Sequence, residues 1–204
     1  MADSETTRLE AFSDGVFAIA ITLLVLELKV PHLEGVSANS AVLWSKLADL
    51  WPDYFALVTS FFTILVMWVH HHNILRMVRR TDSRLLYANG LLLLAITVVP
   101  FPTAIVAAYL RTPAAPAACA AYSLLFVLIG IAFYLLILAA FRKSLLDPQA
   151  RPEVIERIRA GYRWGPPLYA ISVGAAFISP WLSMGICTGL WIFWAIMTRT
   201  VCEE

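Results

Sequence analysis

The chain has 204 residues, of which 60% are hydrophobic and 14% charged, and its formal net charge is +1 at pH 7. Soluble domains carry about 25% charged residues, so this composition predicts an integral membrane protein and excludes an ordinary soluble domain. The near-neutral charge, with no basic patch among exposed aromatic residues, gives no reason to expect a nucleic-acid partner.

Six segments are long and apolar enough to cross a bilayer, since a membrane helix needs roughly 20 mostly apolar residues. Charged clusters and prolines separate them, and the predicted spans cover residues 11–30, 54–74, 85–110, 117–141, 164–178 and 181–201. The first span is expected to stay in the mature protein, because an acidic N-terminus and the lack of a cleavage site distinguish it from a signal peptide. We therefore predict an all-α integral membrane protein whose residues 1–204 form one six-helix transmembrane domain.

The distribution of positive charge predicts the orientation of these spans. Of the 15 Lys and Arg residues, only Lys29, Lys46 and Arg111 fall on one side of the membrane. Cytoplasmic loops are enriched in Lys and Arg, so the other side is expected to be the cytoplasm and to hold both termini.

The first span opens with an Arg-x-x-x-Phe-Ser-Asp signature, formed by Arg8, Phe12, Ser13 and Asp14. An acidic side chain close to hydrocarbon is energetically costly and marks a candidate functional site. Ser13 and Asp14 also have a structural interpretation, which we favour over catalysis or ion coordination. They would form a polar cluster that hydrogen-bonds neighbouring membrane helices.

A stripe of apolar side chains follows this signature on the same helix. At about 100° per residue, Ile19, Leu23 and Leu26 lie on the same face as Phe12, whereas the two polar residues of the signature point elsewhere. Thr22 lies just beside the stripe. From periodicity alone, such a stripe faces lipid or neighbouring helices.

Polar residues of two other spans are expected at the depth of the signature, because the second span ends and the third begins at the cytoplasmic face. They are His70, His71, His72, Asn73 and Asn89. Three consecutive helical histidines point about 100° apart, and the three cysteines are scattered, so no metal site is expected. At least one histidine is expected to pair with Asp14, where it would titrate near neutral pH.

The signature and the apolar run behind it resemble the first helix of the transmembrane protein 175 family. The resemblance extends to the His-rich end of the second span, to residues 82–89 and to Pro100-Phe101-Pro102. Animal members of this family are endosomal and lysosomal potassium channels, and bacterial members are short single-repeat relatives. The resemblance implies a homotetramer in which the first helix of each chain lines a central pore, in a bacterial plasma membrane.

The resemblance also implies which residues the pore uses. The narrowest regions in the family are rings of bulky apolar side chains seven, eleven and fourteen residues after the signature Phe, which are Ile19, Leu23 and Leu26 here. Because the same residues form the stripe, we assign them to a pore constriction in place of a lipid-facing surface. Such an apolar neck can gate by dewetting, and Thr22 beside it is expected to tune selectivity.

The family further implies a hydrogen-bonded network between the signature and polar residues of the second and third helices. The expected members of this signature network are Arg8, Phe12, Ser13, Asp14, His71, His72 and Asn89. No cofactor is implied, and the expected ligands of the pore are permeant K⁺ ions.

The function expected is therefore a potassium-permeable, weakly selective cation channel that conducts passively, with lipids, monovalent cations and copies of itself as partners. The alternative is a proton-coupled secondary transporter that uses Asp14 and a cytoplasmic-side histidine. Such transporters usually have inverted repeats and broken helices, and the interruption at Pro100 and Pro102 has no equivalent in the second half. An enzyme is not expected, because the spans contain no Ser–His or paired-Asp arrangement at a suitable spacing.

Overall fold

Nine α-helices make up most of the part of the chain that this computed structural model describes, residues 2–32 and 39–202. Met1, residues 33–38 and residues 203–204 of the predicted domain lie outside it. The helices are α1 (Ala2–Leu23), α2 (Ser40–Asp49), α3 (Trp51–Arg76), α4 (Ser83–Thr97), α5 (Pro100–Tyr109), α6 (Ala115–Ala140), α7 (Pro152–Tyr162), α8 (Gly165–Ala176) and α9 (Pro180–Cys202). A 3₁₀ turn, Leu24–Glu27, continues α1.

Local sequence explains where these helices begin. Proline occupies the first turn of α3, α5, α6, α7 and α8, and α9 begins at Pro180. Proline is well tolerated there because the first-turn N–H groups have no helical partner. Side chains cap two other helices: Asn39 accepts a hydrogen bond from the Val42 N–H (3.0 Å), and Asp82 accepts one from the Leu85 N–H (2.9 Å).

Five helical segments of the described chain are long and apolar enough to cross a membrane. They are Thr6–Glu27, Trp51–Arg76, Ser83–Tyr109, Ala115–Ala140 and Pro180–Met197. The prediction of an all-helical protein with several membrane spans is thereby confirmed. The segment predicted as the fifth span, 164–178, contains α8, whose 12 residues reach about 18 Å against a hydrocarbon core of roughly 30 Å. The count of six spans and the cytoplasmic termini stay predictions.

A proline joint divides the third span into α4 and α5. Pro100 has no N–H, and its ring would clash with the carbonyl of Ile96 in a continuous helix. The Ile96 carbonyl instead accepts a hydrogen bond from the Val99 N–H at 3.1 Å. The interruption expected at this position is therefore a change of helix within one membrane-spanning segment.

Helix α6 lies at the centre of the bundle and contacts α4, α5, α8 and α9. A Cβ atom at Gly130 would lie 3.2 Å from the backbone nitrogen of Pro166, so the absence of a side chain allows α8 to approach closely. The buried hydroxyl of Ser123 is hydrogen-bonded to those of Ser172 (2.9 Å) and Ser183 (3.1 Å). Small residues and hydroxyl pairs of this kind hold membrane helices together where burial in lipid supplies little driving force.

A second hydroxyl cluster joins α3, α5 and α6. The buried Ser60 hydroxyl is hydrogen-bonded to those of Thr103 (2.8 Å) and Tyr122 (3.0 Å). The Thr103 hydroxyl also bonds the Val99 carbonyl at 2.8 Å. The proline joint is thus fixed to the core by a side-chain contact one turn beyond it.

Two loops pair at the predicted cytoplasmic end. The backbone N–H of Arg79 donates to the Leu145 carbonyl (2.8 Å), and that of Asp147 donates to the Met77 carbonyl (3.0 Å). Asp82 forms an ion pair with Arg142, so the start of α4 is tied to the loop that follows α6. The hydrogen bonds from the Leu85 N–H and the Arg142 guanidinium hold the pKa of Asp82 below its ordinary value of 3.8.

We expect Asp82→Asn to lower the thermal unfolding midpoint of the detergent-solubilised chain near neutral pH. Asparagine keeps the helix cap but loses the ion pair. Because the pKa of Asp82 is lowered in the folded chain, its stabilisation is present above 3.8 and is lost as the pH falls through the folded-state value. The difference from wild type should therefore shrink in acid.

The matched control is Asp49→Asn, at an exposed carboxylate on α2, which should leave the unfolding midpoint near that of wild type. A difference between Asp82→Asn and wild type that stays constant down to strongly acidic pH would contradict the assignment of the ion pair.

Candidate functional site

Helix α1 has one face that packs into the chain. Its buried side chains are Thr6, Leu9, Ser13, Phe17 and Ala20, and Leu24 of the 3₁₀ turn continues the same face. They recur every three or four residues, as expected of one helical face, and α1 contacts α3 and α4. The orientation of α1 is therefore set by this buried face.

The opposite face of α1 is exposed on the single chain. Phe12 is 65% exposed, Ile19 59%, Leu23 39% and Leu26 72%. Large contiguous apolar surfaces of this kind mark interaction sites, and in a membrane protein the neighbour is lipid or another subunit. The pore role of these residues stays a prediction at this point.

Thr22 lies on this exposed face beside the stripe. Its hydroxyl donates to the carbonyl of Ile19 at 2.9 Å, within its own helix. The oxygen lone pairs of Thr22 therefore remain able to accept from water or to contact a cation.

Ser13, Asn89 and His71 form a directed chain of hydrogen bonds between α1, α4 and α3. The Ser13 hydroxyl donates to the Leu9 carbonyl (2.8 Å) and accepts from the Asn89 amide nitrogen (3.0 Å). The Asn89 amide oxygen lies 2.7 Å from Nε2 of His71, and since an amide oxygen only accepts, the histidine donates. At most 1% of each of the three residues is exposed. We call this series of hydrogen bonds between Ser13, Asn89 and His71 the buried clamp. It connects α1 to α4 and α3.

Asp14 has a different partner from the one expected. The indole N–H of Trp68 on α3 donates to Oδ1 of Asp14 at 2.8 Å. The Trp68 ring also stacks on His72, with ring centroids 5.9 Å apart. In the part of the chain that is described, the hydrogen bond expected from a histidine to Asp14 is therefore absent, because His71 faces Asn89 and the indole occupies the donor position.

Two other expected members of the network lie elsewhere. Arg8 is exposed, and among the described residues its side chain forms no hydrogen bond or ion pair. Phe12 is also exposed. Both lie on the outward face of α1, because their helical angles are close to that of the stripe. Within one chain they are thus separate from the buried clamp.

Sequence reasoning missed two residues of this site. Trp68 precedes His72 by one turn, so the two share a face and a membrane depth, a spacing that could have identified it. Phe17 lies one turn after Ser13, and its ring contacts that of His71, with centroids 5.3 Å apart. Among the described residues, no group of three His, Cys, Asp or Glu side chains could hold a metal ion.

Comparisons with known proteins identify relatives of this chain. Residues 8–100 match the family model described as "Endosomal/lysosomal potassium channel TMEM175". The chain is 50% identical over 197 residues to a potassium channel of Chamaesiphon minutus, with 96% of each chain covered. It is 42% identical over 183 residues to a potassium channel of Streptomyces collinus, covering 89% of this chain and 87% of the relative.

The fold also matches a solved structure. A crystal structure of a lysosomal potassium-selective channel TMEM175 homologue from Chamaesiphon minutus aligns with a TM-score of 0.86 and 48% sequence identity. The alignment covers 96% of this chain and 98% of that one.

We expect Asn89→Leu to destabilise the detergent-solubilised chain. Leucine removes the acceptor of His71, and a buried polar group left unpaired costs about 1–3 kcal/mol. It also removes the hydrogen bond to Ser13, whose hydroxyl keeps only the Leu9 carbonyl as partner. Thr97→Val on the same helix is the control, because the exposed Thr97 hydroxyl bonds only the Leu94 carbonyl of its own turn (2.7 Å). Equal unfolding midpoints for the two variants would exclude a structural role for the clamp.

A double-mutant cycle of Trp68→Phe and Asp14→Ala measures the strength of the hydrogen bond between the Trp68 indole and the Asp14 carboxylate. Phenylalanine keeps an aromatic ring against His72 but has no N–H for the carboxylate. Hydrogen bonds to charged groups contribute about 1.5–3 kcal/mol, so we expect a coupling energy of that size in thermal or denaturant unfolding. Trp44→Phe, at a tryptophan that is 72% exposed, should show no coupling to Asp14→Ala. A coupling energy near zero for Trp68 would disprove the contact.

Proposed function

Because this chain belongs to the TMEM175 family of potassium channels, we propose that it is a potassium-permeable, weakly selective cation channel that conducts passively through a central pore. The observation that carries the proposal is the identity, over nearly the full length of both chains, with a protein named as a potassium channel. The relatives are channels and not enzymes, so the chain is a channel protein without a catalytic function. The permeant K⁺ ion is the ligand, and no cofactor is required.

The pore is proposed to lie on the axis of a homotetramer. The apolar stripe of α1 faces outward from the single chain, so a pore lined by this face requires several copies of α1 around one axis. Phe12 and Arg8 lie on the same face and would meet neighbouring copies. In this arrangement their role is subunit contact, which accounts for their separation from the buried clamp.

Each subunit is proposed to be a single six-span domain of residues 1–204, with both termini in the cytoplasm of a bacterial cell. Helix α8 serves as the fifth span although it is short. Its neighbours α6 and α9 contact it along the bundle, and polar backbone at the ends of a short helix is tolerated in a membrane where protein covers it. Membrane lipids then contact the outer helices of the plasma-membrane protein.

Ile19, Leu23 and Leu26 are proposed to form the constriction as successive apolar rings. Such rings exclude water until they widen, so they act as a hydrophobic gate. They offer no carbonyl cage to replace the hydration shell of one particular ion, which explains weak selectivity. The Thr22 oxygen beside the rings supplies a polar contact that favours one hydrated cation over another.

The transporter alternative has no support from the site. Among the described residues, Asp14 accepts a hydrogen bond from the Trp68 indole and Nε2 of His71 donates to Asn89, so no hydrogen bond joins Asp14 to His71 for a proton to follow. The relatives are named as channels, which also does not favour a transporter. Potassium flux that only follows its electrochemical gradient, at any imposed pH difference, is the outcome expected of a channel, whereas uptake against that gradient would support the transporter.

We expect Ile19→Ala, Leu23→Ala and Leu26→Ala each to change K⁺ flux several-fold, or to change the K⁺ to Na⁺ ratio, in proteoliposomes. A smaller side chain widens the apolar neck and lowers the barrier to a hydrated ion. Ile171→Ala on α8 is the matched control, because Ile171 is 61% exposed and Ile19 59%. The expected assembly has four copies of the 22.7 kDa chain, measured as the mass in detergent.

Wild-type flux in all three stripe variants, in protein that elutes like wild type, would contradict the pore assignment. A mass of one or two chains under conditions in which flux is retained would contradict the tetramer and leave the family assignment unaffected.

A further inference from the structure

Four basic side chains lie on or beside the two paired loops at the predicted cytoplasmic end of the bundle. They are Arg76, Arg79, Arg80 and Lys143, and all four are exposed. Arg76 is the last residue of α3, and the other three lie in the loops that follow α3 and α6. We call these four residues the basic surface. It contains no residue of the proposed pore or of the buried clamp.

Backbone hydrogen bonds hold the two loops of the basic surface against each other. The N–H groups of Arg79 and Arg80 both donate to the carbonyl of Leu145, at 2.8 and 3.2 Å. Lys143 lies two residues before Leu145, so the pairing brings together positive charges from two distant parts of the sequence. The fold therefore fixes where these charges meet.

Acidic side chains do not neutralise the basic surface. Among the described residues, none of its four side chains forms a hydrogen bond or an ion pair. The two carboxylates of the same loops have other partners: Asp82 pairs with Arg142, and Oδ1 of Asp147 accepts from the Gln149 N–H at 2.7 Å. A group of positive charges without acidic partners attracts anions.

The basic surface lies where three candidate membrane spans meet the aqueous phase. The spans Trp51–Arg76 and Ala115–Ala140 end at these loops, and the span Ser83–Tyr109 begins there. Long basic side chains at the end of a span extend to the headgroup region, and a guanidinium binds a phosphate through two parallel hydrogen bonds. The anion available at this depth of a membrane is a lipid phosphate.

Membrane topology also enriches cytoplasmic loops in Lys and Arg, but it requires only their charge. Topology accounts for the number of positive charges at this end, whereas the paired loops account for their concentration at one place. The two explanations differ for an Arg to Lys substitution. Lysine keeps the charge that topology needs and loses the planar fork that recognises a phosphate.

We propose that the basic surface binds the phosphate of an anionic phospholipid headgroup. Arg79 and Arg80 donate charge-assisted hydrogen bonds to the phosphate oxygens, and Arg76 and Lys143 add positive charge around them. The lipid belongs to the cytoplasmic leaflet in the proposed orientation. The site goes beyond ion conduction, since lipid binding is measurable without flux.

The loop that carries this site is attached to α1. The Thr6 hydroxyl on α1 donates to the Arg79 carbonyl at 3.4 Å. A headgroup held by Arg79 and Arg80 therefore contacts the segment to which the start of the proposed pore helix is bonded.

The test titrates lipid onto the full, delipidated chain in a non-ionic detergent and measures bound lipid by native mass spectrometry. The probe is phosphatidylglycerol, and phosphatidylcholine with the same acyl chains is its zwitterionic counterpart. We expect wild type to bind phosphatidylglycerol more tightly. An arginine near an anionic membrane surface contributes about 5-fold to binding, so Arg79→Gln and Arg80→Gln should each weaken it about 5-fold and the double variant about 25-fold.

Two further variants accompany these. Arg111→Gln makes the same change at an exposed arginine between α5 and α6, at the opposite end of the bundle, and it should bind phosphatidylglycerol like wild type. The double variant of Arg79→Lys and Arg80→Lys keeps both charges, and it should still bind more weakly than wild type. Elution of each variant like wild type shows that the exposed substitutions leave the fold intact.

Inorganic phosphate distinguishes a lipid headgroup from a soluble ligand. At millimolar concentration it should leave phosphatidylglycerol binding unchanged, whereas displacement of the lipid would identify a site for a free phosphate compound and overturn the proposal. Equal binding of the two lipids by wild type, equal phosphatidylglycerol affinity of wild type and the double glutamine variant, or wild-type affinity of the double lysine variant would each overturn it too. None of these outcomes depends on whether the chain conducts potassium.

Discussion

The hydrogen bond between Asn89 and Ser13 determines how the first helix sits in this protein. In lipid, apolar side chains gain little by leaving their surroundings for a neighbouring helix, so polar contacts and close packing must orient each span. Asn89 reaches Ser13 on one side and His71 on the other, and it thereby fixes α1 to two helices at once. Because this contact directs one face of α1 inward, the apolar stripe on the other face is directed away from the chain.

The ends of α3, α6 and α9 and the division of α1 into two faces could be predicted from the sequence, because they depend on neighbours a few residues apart. The start of α1 at Ala2, nine residues before the predicted span, and the short helix α2 were not predicted. Prolines mark helix starts, and the stripe follows from helical angle alone. The partner of Asp14 could not be predicted in this way. Trp68 and the histidines share one depth, and the choice among them depends on the rotation of α3 relative to α1, which no single-helix pattern contains. The ends of α8, in contrast, lie within two residues of the predicted segment 164–178.

Polar and apolar chemistry occupy separate parts of the molecule. Buried hydroxyls, Asn89 and His71 lie at contacts between helices of one chain, where they have partners and are kept from the proposed ion path. The side chains assigned to that path are apolar. In the proposed channel, the two faces of α1 would thus serve different purposes, so a substitution in α1 would act on helix position or on conduction according to the face it occupies.

The 3₁₀ turn at the end of α1 changes the spacing of the last two residues of the stripe. In a 3₁₀ helix, side chains three residues apart eclipse each other, with about 6 Å between them along the axis. Leu23 caps this turn and Leu26 lies within it, so the two leucines align along one line instead of diverging around the helix. In the proposed pore they would form one continuous apolar sleeve, and an ion would then cross two barriers in succession: the Ile19 ring, then this sleeve.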